Sequence, residues 1–143
     1  MTFSFTPIGV VKNGVVERPE KWSDIYSEIH IKKELQDGLD GLSEFSHVVV
    51  IFCFHLSDNA LLKVHPRGNK DLPLVGVFST RAPVRPNSIG VTIVELIKVE
   101  ENVVTVKGLD AFDGTPVLDL KPHLSCVEPT RVPDWVKEHT DRR

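Results

Sequence analysis

Two short segments hold most of the side chains able to do chemistry. In Phe78–Gly90, Arg81 and Arg85 stand among Pro83 and Pro86, followed by Asn87 and Gly90. An arginine presents a planar fork of donors that suits a carboxylate or phosphate. The amide of Asn87 both donates and accepts, as reading a base edge or a ribose requires. The two prolines fix backbone angles and so lower the entropy cost of holding one loop shape. Gly90 lets a backbone approach closely. This combination predicts a rigid binding loop for an anionic group; the plainer alternative is a stiff loop with solvated arginines.

The second segment, Leu109–Pro122, contains Asp110, Asp113 and Asp119, with Asp113-Gly114-Thr115-Pro116 at its centre. These carboxylates suit hydroxyls, an amine or a metal, but Asp113-Gly114 is also a plain turn signal. A hard-cation site is disfavoured because no EF-hand spacing is present. His47 and His55 lie at opposite ends of one predicted strand and cannot share a metal. With no His-x-x-x-His and no Cys/His cluster, no metal is expected. His65-Pro66-Arg67-Gly68 is a basic, turn-prone unit suited to phosphate contacts. Between residues 63 and 85, Lys63, Arg67, Lys70, Arg81 and Arg85 face only Asp71, a basic stretch in a chain of net charge −3. That pattern suggests a local anionic ligand rather than a polyanion bound all round. Dinucleotide, Walker and nucleophile-elbow glycine motifs are absent, which argues against Rossmann, P-loop and α/β-hydrolase chemistry.

The elements that must position these loops read mostly as strands. Phe3–Val11 is predicted as a first strand interrupted near Pro7, 13–24 as a loop, and Ile25–Ile31 as a half-buried strand. Asp37–Gly41 is turn-rich, Ser43–Ser46 suits one helical turn, and His47–Phe54 reads as a strand buried on both faces. Residues 55–73 form a long loop with a short helix near Asn59–Val64, and Val75–Thr80 is strand-like. Ile89–Val99 and Val103–Leu109 make the clearest hairpin; Val117–Leu120 is a further strand and Arg131–His139 a short helix. Helical periodicity is scarce, so the expected fold class is all-β: a mainly antiparallel barrel or closed sheet with short helical segments, in a single domain over 1–143.

At 143 residues the chain suits a single domain with its own core. Cys53 and Cys126 form neither a disulfide framework nor a metal motif, so a reduced, cytoplasmic setting is expected. The first residues lack a signal-peptide pattern, and the longest apolar run, Val48–Phe54, is far too short to span a membrane.

Taken in order, Pro7-Ile8-Gly9, Asp40-Gly41-Leu42, Phe45-Ser46-His47, Phe54-His55, His65-Pro66-Arg67-Gly68, Gly76–Arg81, Arg85–Gly90 and Asp113–Pro122 resemble the TsaA-like family. The resemblance runs from about Phe5 to Leu124, which implies a core over about 5–124 and a tail over 125–143. It implies a small β-barrel, without a Rossmann fold, that binds S-adenosyl-L-methionine. It further implies a homodimer with the cofactor near the subunit interface, and N6-methylation of threonylcarbamoyladenosine beside the tRNA anticodon. Carried over by residue, the cofactor pocket should draw on Pro7, Ile8, Gly9, His55, Leu56, Arg81, Val91, Asp113, Gly114, Thr115 and Pro116, with Arg85, Pro86 and Asn87 shaping it. Arg81, Asn87 and Asp113 are the expected catalytic residues; His65, Arg67 and Lys121 the expected tRNA contacts. Ser88 and His123 depart from the family pattern, where proline and tyrosine are common. Asp113, Asp119 and His55 are alternative proton acceptors. A non-catalytic module binding S-adenosyl-L-methionine or RNA is the competing reading.

Overall fold

The computed structural model describes residues 1–124 and 127–137. Runs of β-branched residues form the strands: β1 Gly9–Lys12, β2 Tyr26–Ile31, β3 His47–Cys53, β4 Lys63–Val64, β5 Val75–Gly76, β6 Ile89–Glu100, β7 Val103–Lys107 and β8 Pro116–Pro122. Six of them close into an antiparallel barrel in the order β1-β2-β7-β6-β3-β8, with β8 pairing back onto β1. β4 and β5 make a separate two-stranded sheet. The expected all-β, antiparallel barrel is therefore observed.

Alternation decides what fills the barrel. On β3, Val48, Val50 and Phe52 point inward and are buried, beside Val94 of β6, Val104 and Val106 of β7, and Val117 of β8. Register shifts between Ile51 and Phe52 and between Leu96 and Lys98 let the long strands curve to closure. The phenyl ring of Phe52 packs edge-on to Phe54, with centroids 5.3 Å apart. It also lies over Gly90, where a Cβ would fall 2.5 Å from the ring.

Several sequence expectations need correction. β1 begins at Gly9, not Phe3; Pro7 has no N–H to extend the ladder, and Phe3 and Phe5 are exposed. β3 is not buried on both faces: Val49, Ile51 and Cys53 are half-buried and His47 exposed, as alternation puts every second side chain on the outer surface of the barrel. No helix forms near Asn59–Val64; Lys63 and Val64 instead pair with Gly76 and Val75. Only Val75–Gly76 of Val75–Thr80 is strand, since Val77–Ser79 winds into a 3-10 turn. The 3-10 helix over Lys33–Leu39 has no counterpart among the expected elements; it buries Leu39. The hairpin is Ile89–Glu100 with Val103–Lys107, and the C-terminal helix is Asp134–Lys137, with residues 138 and 139 outside the described part. Cys126 and the part of the expected tail beyond Lys137 also lie outside it.

Candidate functional site

β3 runs between β6 and β8, so its last residues bring together two segments far apart in sequence. On one side, Phe54 N–H donates to Ser88 O at 2.8 Å, which seats the Asn87-Ser88 corner beside His55. On the other, Phe52 pairs with Val117, and a methyl group at Gly114 would stand 4.0 Å from His55 Nε2. One strand further round, Ile8 N–H donates to Val117 O and Gly114 N–H to Val11 O, both at 2.8 Å. His55, Asn87 and the Asp113–Pro116 turn thus lie at one end, or mouth, of the barrel, and Ile8 and Gly9 reach them only across β8, through Val117.

The loop leading to this mouth is braced internally. Thr80 Oγ1 donates to Val77 O at 2.8 Å and accepts from Ala82 N–H at 3.2 Å. Arg85 Nη1 donates to Thr80 O and Ala82 O, each at 3.0 Å. Ser57 Oγ and Leu61 N–H tie the loop to the segment after β3 through Pro83 O and Val84 O. The two arginines therefore differ in role. Arg85 is half-buried and spends its donors on the loop, whereas Arg81 is exposed and makes no hydrogen bond or ion pair among the described residues. The Asn87 side chain is exposed and equally uncommitted. Pro86 is exposed between them, and Leu56 is 64% exposed just past His55.

Asp113 fastens rather than projects. Its Oδ1 accepts the main-chain N–H groups of Asn13 at 2.9 Å and Gly14 at 3.0 Å. The Gly14 and then the Asn13 N–H hold its carboxyl below the usual 3.8, with Lys12 adding a smaller attraction. A carboxylate held ionised in this way is a poor proton acceptor. Its depressed value also means that the fastening contributes stability above the unfolded value, and that this is lost as pH falls through the folded one. Denaturation midpoints followed from about pH 5 down to about pH 2 should show a steeper acid loss in the wild type than in Asp113→Asn. Superimposable acid limbs would mean that these two hydrogen bonds contribute nothing to folding.

Other expected site residues are placed elsewhere. Val91 lies on the outer face of β6, paired with Ile51. His65 Nδ1 contacts Leu72 O at 2.9 Å beside the small β4–β5 sheet, and Arg67 follows with φ 56°. Lys121 is in the other half of β8, ion-paired with Asp119 at 2.9 Å, and is not gathered with His65 and Arg67. Asp119 is committed twice, since its Oδ1 also accepts from Leu120 N–H. Sequence reasoning missed Thr80 and Asn13. Asn13 Nδ2 bridges the buried Ser27 and Ala111 O, and the Asn13-Gly14 turn dipeptide was the available signal. A hollow of about 260 Å³ at the far end of β6 is lined by Asp40, Glu101 and Leu39 among others, and its acidic lining disfavours an anionic ligand. Among the described residues, no three His, Cys, Asp or Glu side chains gather to hold a metal, and no helix is long and apolar enough to cross a membrane.

Fold and site together define a class: a closed antiparallel barrel with ligand-competent loops gathered at one end. Within that class, the chain belongs to the tRNA-methyltransferase O N-terminal domain family, whose model matches residues 10–128. A probable S-adenosyl-L-methionine-binding protein of Methanothermobacter thermautotrophicus is 42% identical over 133 residues, covering 90% of this chain and 95% of its own. A tRNA (adenine(37)-N6)-methyltransferase of Mus musculus is 40% identical over 134 residues, covering 83% of this chain but 30% of its own length. A crystal structure of TrmO from Pseudomonas aeruginosa matches with 31% identity and a TM-score of 0.75, over 94% of this chain and 62% of that one. The chain thus spans less than two thirds of the solved TrmO chain.

Proposed function

We propose that the chain binds S-adenosyl-L-methionine at this mouth and methylates N6 of threonylcarbamoyladenosine beside the tRNA anticodon, working as a cytoplasmic homodimer. The observation that carries the reading is the meeting at one end of β3 of His55, the Asp113–Pro116 turn and the Ser88 end of the braced loop that carries Arg81. The chemistry of these groups fits the ligand. Arg81 suits its carboxylate, Asn87 its ribose or base edge, and Ile8, Leu56 and Pro116 its less polar parts. Pro7, Gly9, Pro86, Gly114 and Thr115 shape the wall, and Arg85 keeps the Arg81 loop in one form.

When bound, S-adenosyl-L-methionine supplies an electrophilic methyl group on a sulfonium. The protein's task is to align the acceptor nitrogen with that methyl and exclude water. The braced loop supplies alignment at low entropy cost. The acceptor nitrogen is ureido-like and must lose its proton. Of the three alternatives, Asp113 and Asp119 are already committed, so His55 is the proposed acceptor. An anticodon-loop base is single-stranded already, and splaying it costs little. His65, Arg67 and Lys121 are the proposed tRNA contacts.

The homodimer reading is supported by the outer face of β3 and β6. Ile89, Val91 and Ile93 are 43%, 51% and 48% exposed there, beside half-buried Val49 and Ile51, and this patch is continuous with the mouth. A second copy seated on it would bring Val91 to the edge of a shared pocket. Ile93→Glu should convert a dimer to a monomer in sedimentation equilibrium; a wild type that already sediments as a monomer ends this part of the reading.

A binding-module reading also has a specific support: the relative matched over 95% of its own length is described as a probable binding protein. Methyl transfer from labelled S-adenosyl-L-methionine to tRNA with and without threonylcarbamoyladenosine, followed by nucleoside mass spectrometry, separates the two. Label only in the modified tRNA is expected. Cofactor binding without label in either pool favours the module.

A further inference from the structure

Phe78 has no place in the core and no role in the proposed cofactor site. It sits in the 3-10 turn Val77–Ser79. Val77 N–H donates to Leu62 O at 2.9 Å and the Val77 side chain is buried, so the turn directs Phe78 outward, 76% exposed. Leu62, 70% exposed, lies on the adjoining segment. The turn is held at its end by Thr80, whose hydroxyl and carbonyl anchor the same brace that presents Arg81. An exposed phenyl ring thus projects from a braced turn three residues before Arg81 in the chain, within the basic stretch of sequence containing Lys63, Arg67 and Lys70.

We propose that Phe78 is a stacking platform for an adenine ring. The inference rests on the function proposed above, in which both reactants carry adenine: the cofactor and the tRNA adenosine. An aromatic face next to cationic donors is how proteins hold an unpaired base, because the ring offers a π-face while the cations meet carboxylate or phosphate. An aliphatic contact would need apolar bulk only, whereas stacking needs the flat ring. The turn places that ring without the entropy cost of ordering a mobile loop.

The test uses the whole chain with two probes: S-adenosylhomocysteine by calorimetry, and a tRNA anticodon stem–loop oligonucleotide by fluorescence anisotropy. Phe78→Ala should weaken one of them roughly 5- to 100-fold. Phe78→Trp should restore it and Phe78→Leu should not, with thermal melts and oligomeric state unchanged in all three variants. A loss confined to S-adenosylhomocysteine assigns the platform to the cofactor's adenine; a loss confined to the stem–loop assigns it to an RNA base. The proposal is overturned if Phe78→Ala binds both probes like the wild type, if Phe78→Leu equals the wild type, or if Phe78→Ala changes the oligomeric state. A wild type that binds neither probe sinks the proposed function and this inference together. Normal wild-type binding with an indifferent Phe78→Ala sinks the inference alone.

Discussion

Arg81→Ala is expected to lose S-adenosyl-L-methionine binding by about 10- to 100-fold and to abolish methyl transfer under ordinary conditions, with the fold intact. The reasoning starts from the two arginines of one loop. Arg85 donates to Thr80 O and Ala82 O and is used up in holding the loop. Arg81 is exposed with no partner among the described residues, so its fork is available to a ligand anion. A charge-assisted hydrogen bond contributes about 1.5–3 kcal/mol, which sets the scale of the loss. Among the described residues that guanidinium makes no hydrogen bond or ion pair, so the melting temperature should move little, as for other exposed substitutions. Arg81→Lys keeps the charge and loses the fork, and should fall between the two. Binding and turnover in Arg81→Ala equal to the wild type would remove Arg81 from the site. Arg85→Ala should differ in kind, weakening binding and also lowering stability, because the carbonyls of Thr80 and Ala82 lose their donor.

Gly90→Ala is expected to lower stability markedly. A Cβ at position 90 would lie 2.5 Å from two ring atoms of Phe52. Phe52 is 1% exposed in the closed barrel, so its ring has no free space to enter. Overpacking of this kind costs about 1–3 kcal/mol. For a chain of this length, each kcal/mol lowers Tm by about 2–4 °C. The clash also sits next to the Phe54–Ser88 hydrogen bond, so ligand binding should weaken with stability. Phe52→Leu, alone destabilising, should cost less in the Gly90→Ala background than in the wild type, giving a coupling readable in a double-mutant cycle. Strictly additive effects, or an unchanged Tm in Gly90→Ala, would show that the ring relaxes without cost.

Much of the architecture is legible in the amino-acid sequence. Alternation in Ile25–Ile31 and the β-branched runs of Ile89–Val99 and Val103–Leu109 determine strands and a hairpin, since local side-chain shape favours a pleated, half-buried backbone. The prolines and turn residues of Phe78–Gly90 and Asp113–Pro116 determine loops there. The order of motifs points to the same family whose model matches the chain. Short, mixed segments are where sequence and structure part. Asn59–Val64 has little periodicity, and Lys63 and Val64 become strand only by pairing with Gly76 and Val75; Phe3–Val11 has alternating bulky residues, yet its strand starts at Gly9, after the N–H that Pro7 lacks.

What tertiary structure decided was partnership. That His55 stands between Ser88 and Gly114 follows from β3 lying between β6 and β8, which strand order decides and no local pattern encodes. Arg81 and Arg85 are the same residue type in one loop, yet the geometry of loop closure commits one and frees the other. Asp113, one of three candidate acids in its segment, is a fastener because the chain leaving β1 delivers the Asn13 and Gly14 N–H groups to it. Residue type determines which hydrogen bonds a side chain can make; only the closed barrel determines which of them are already made.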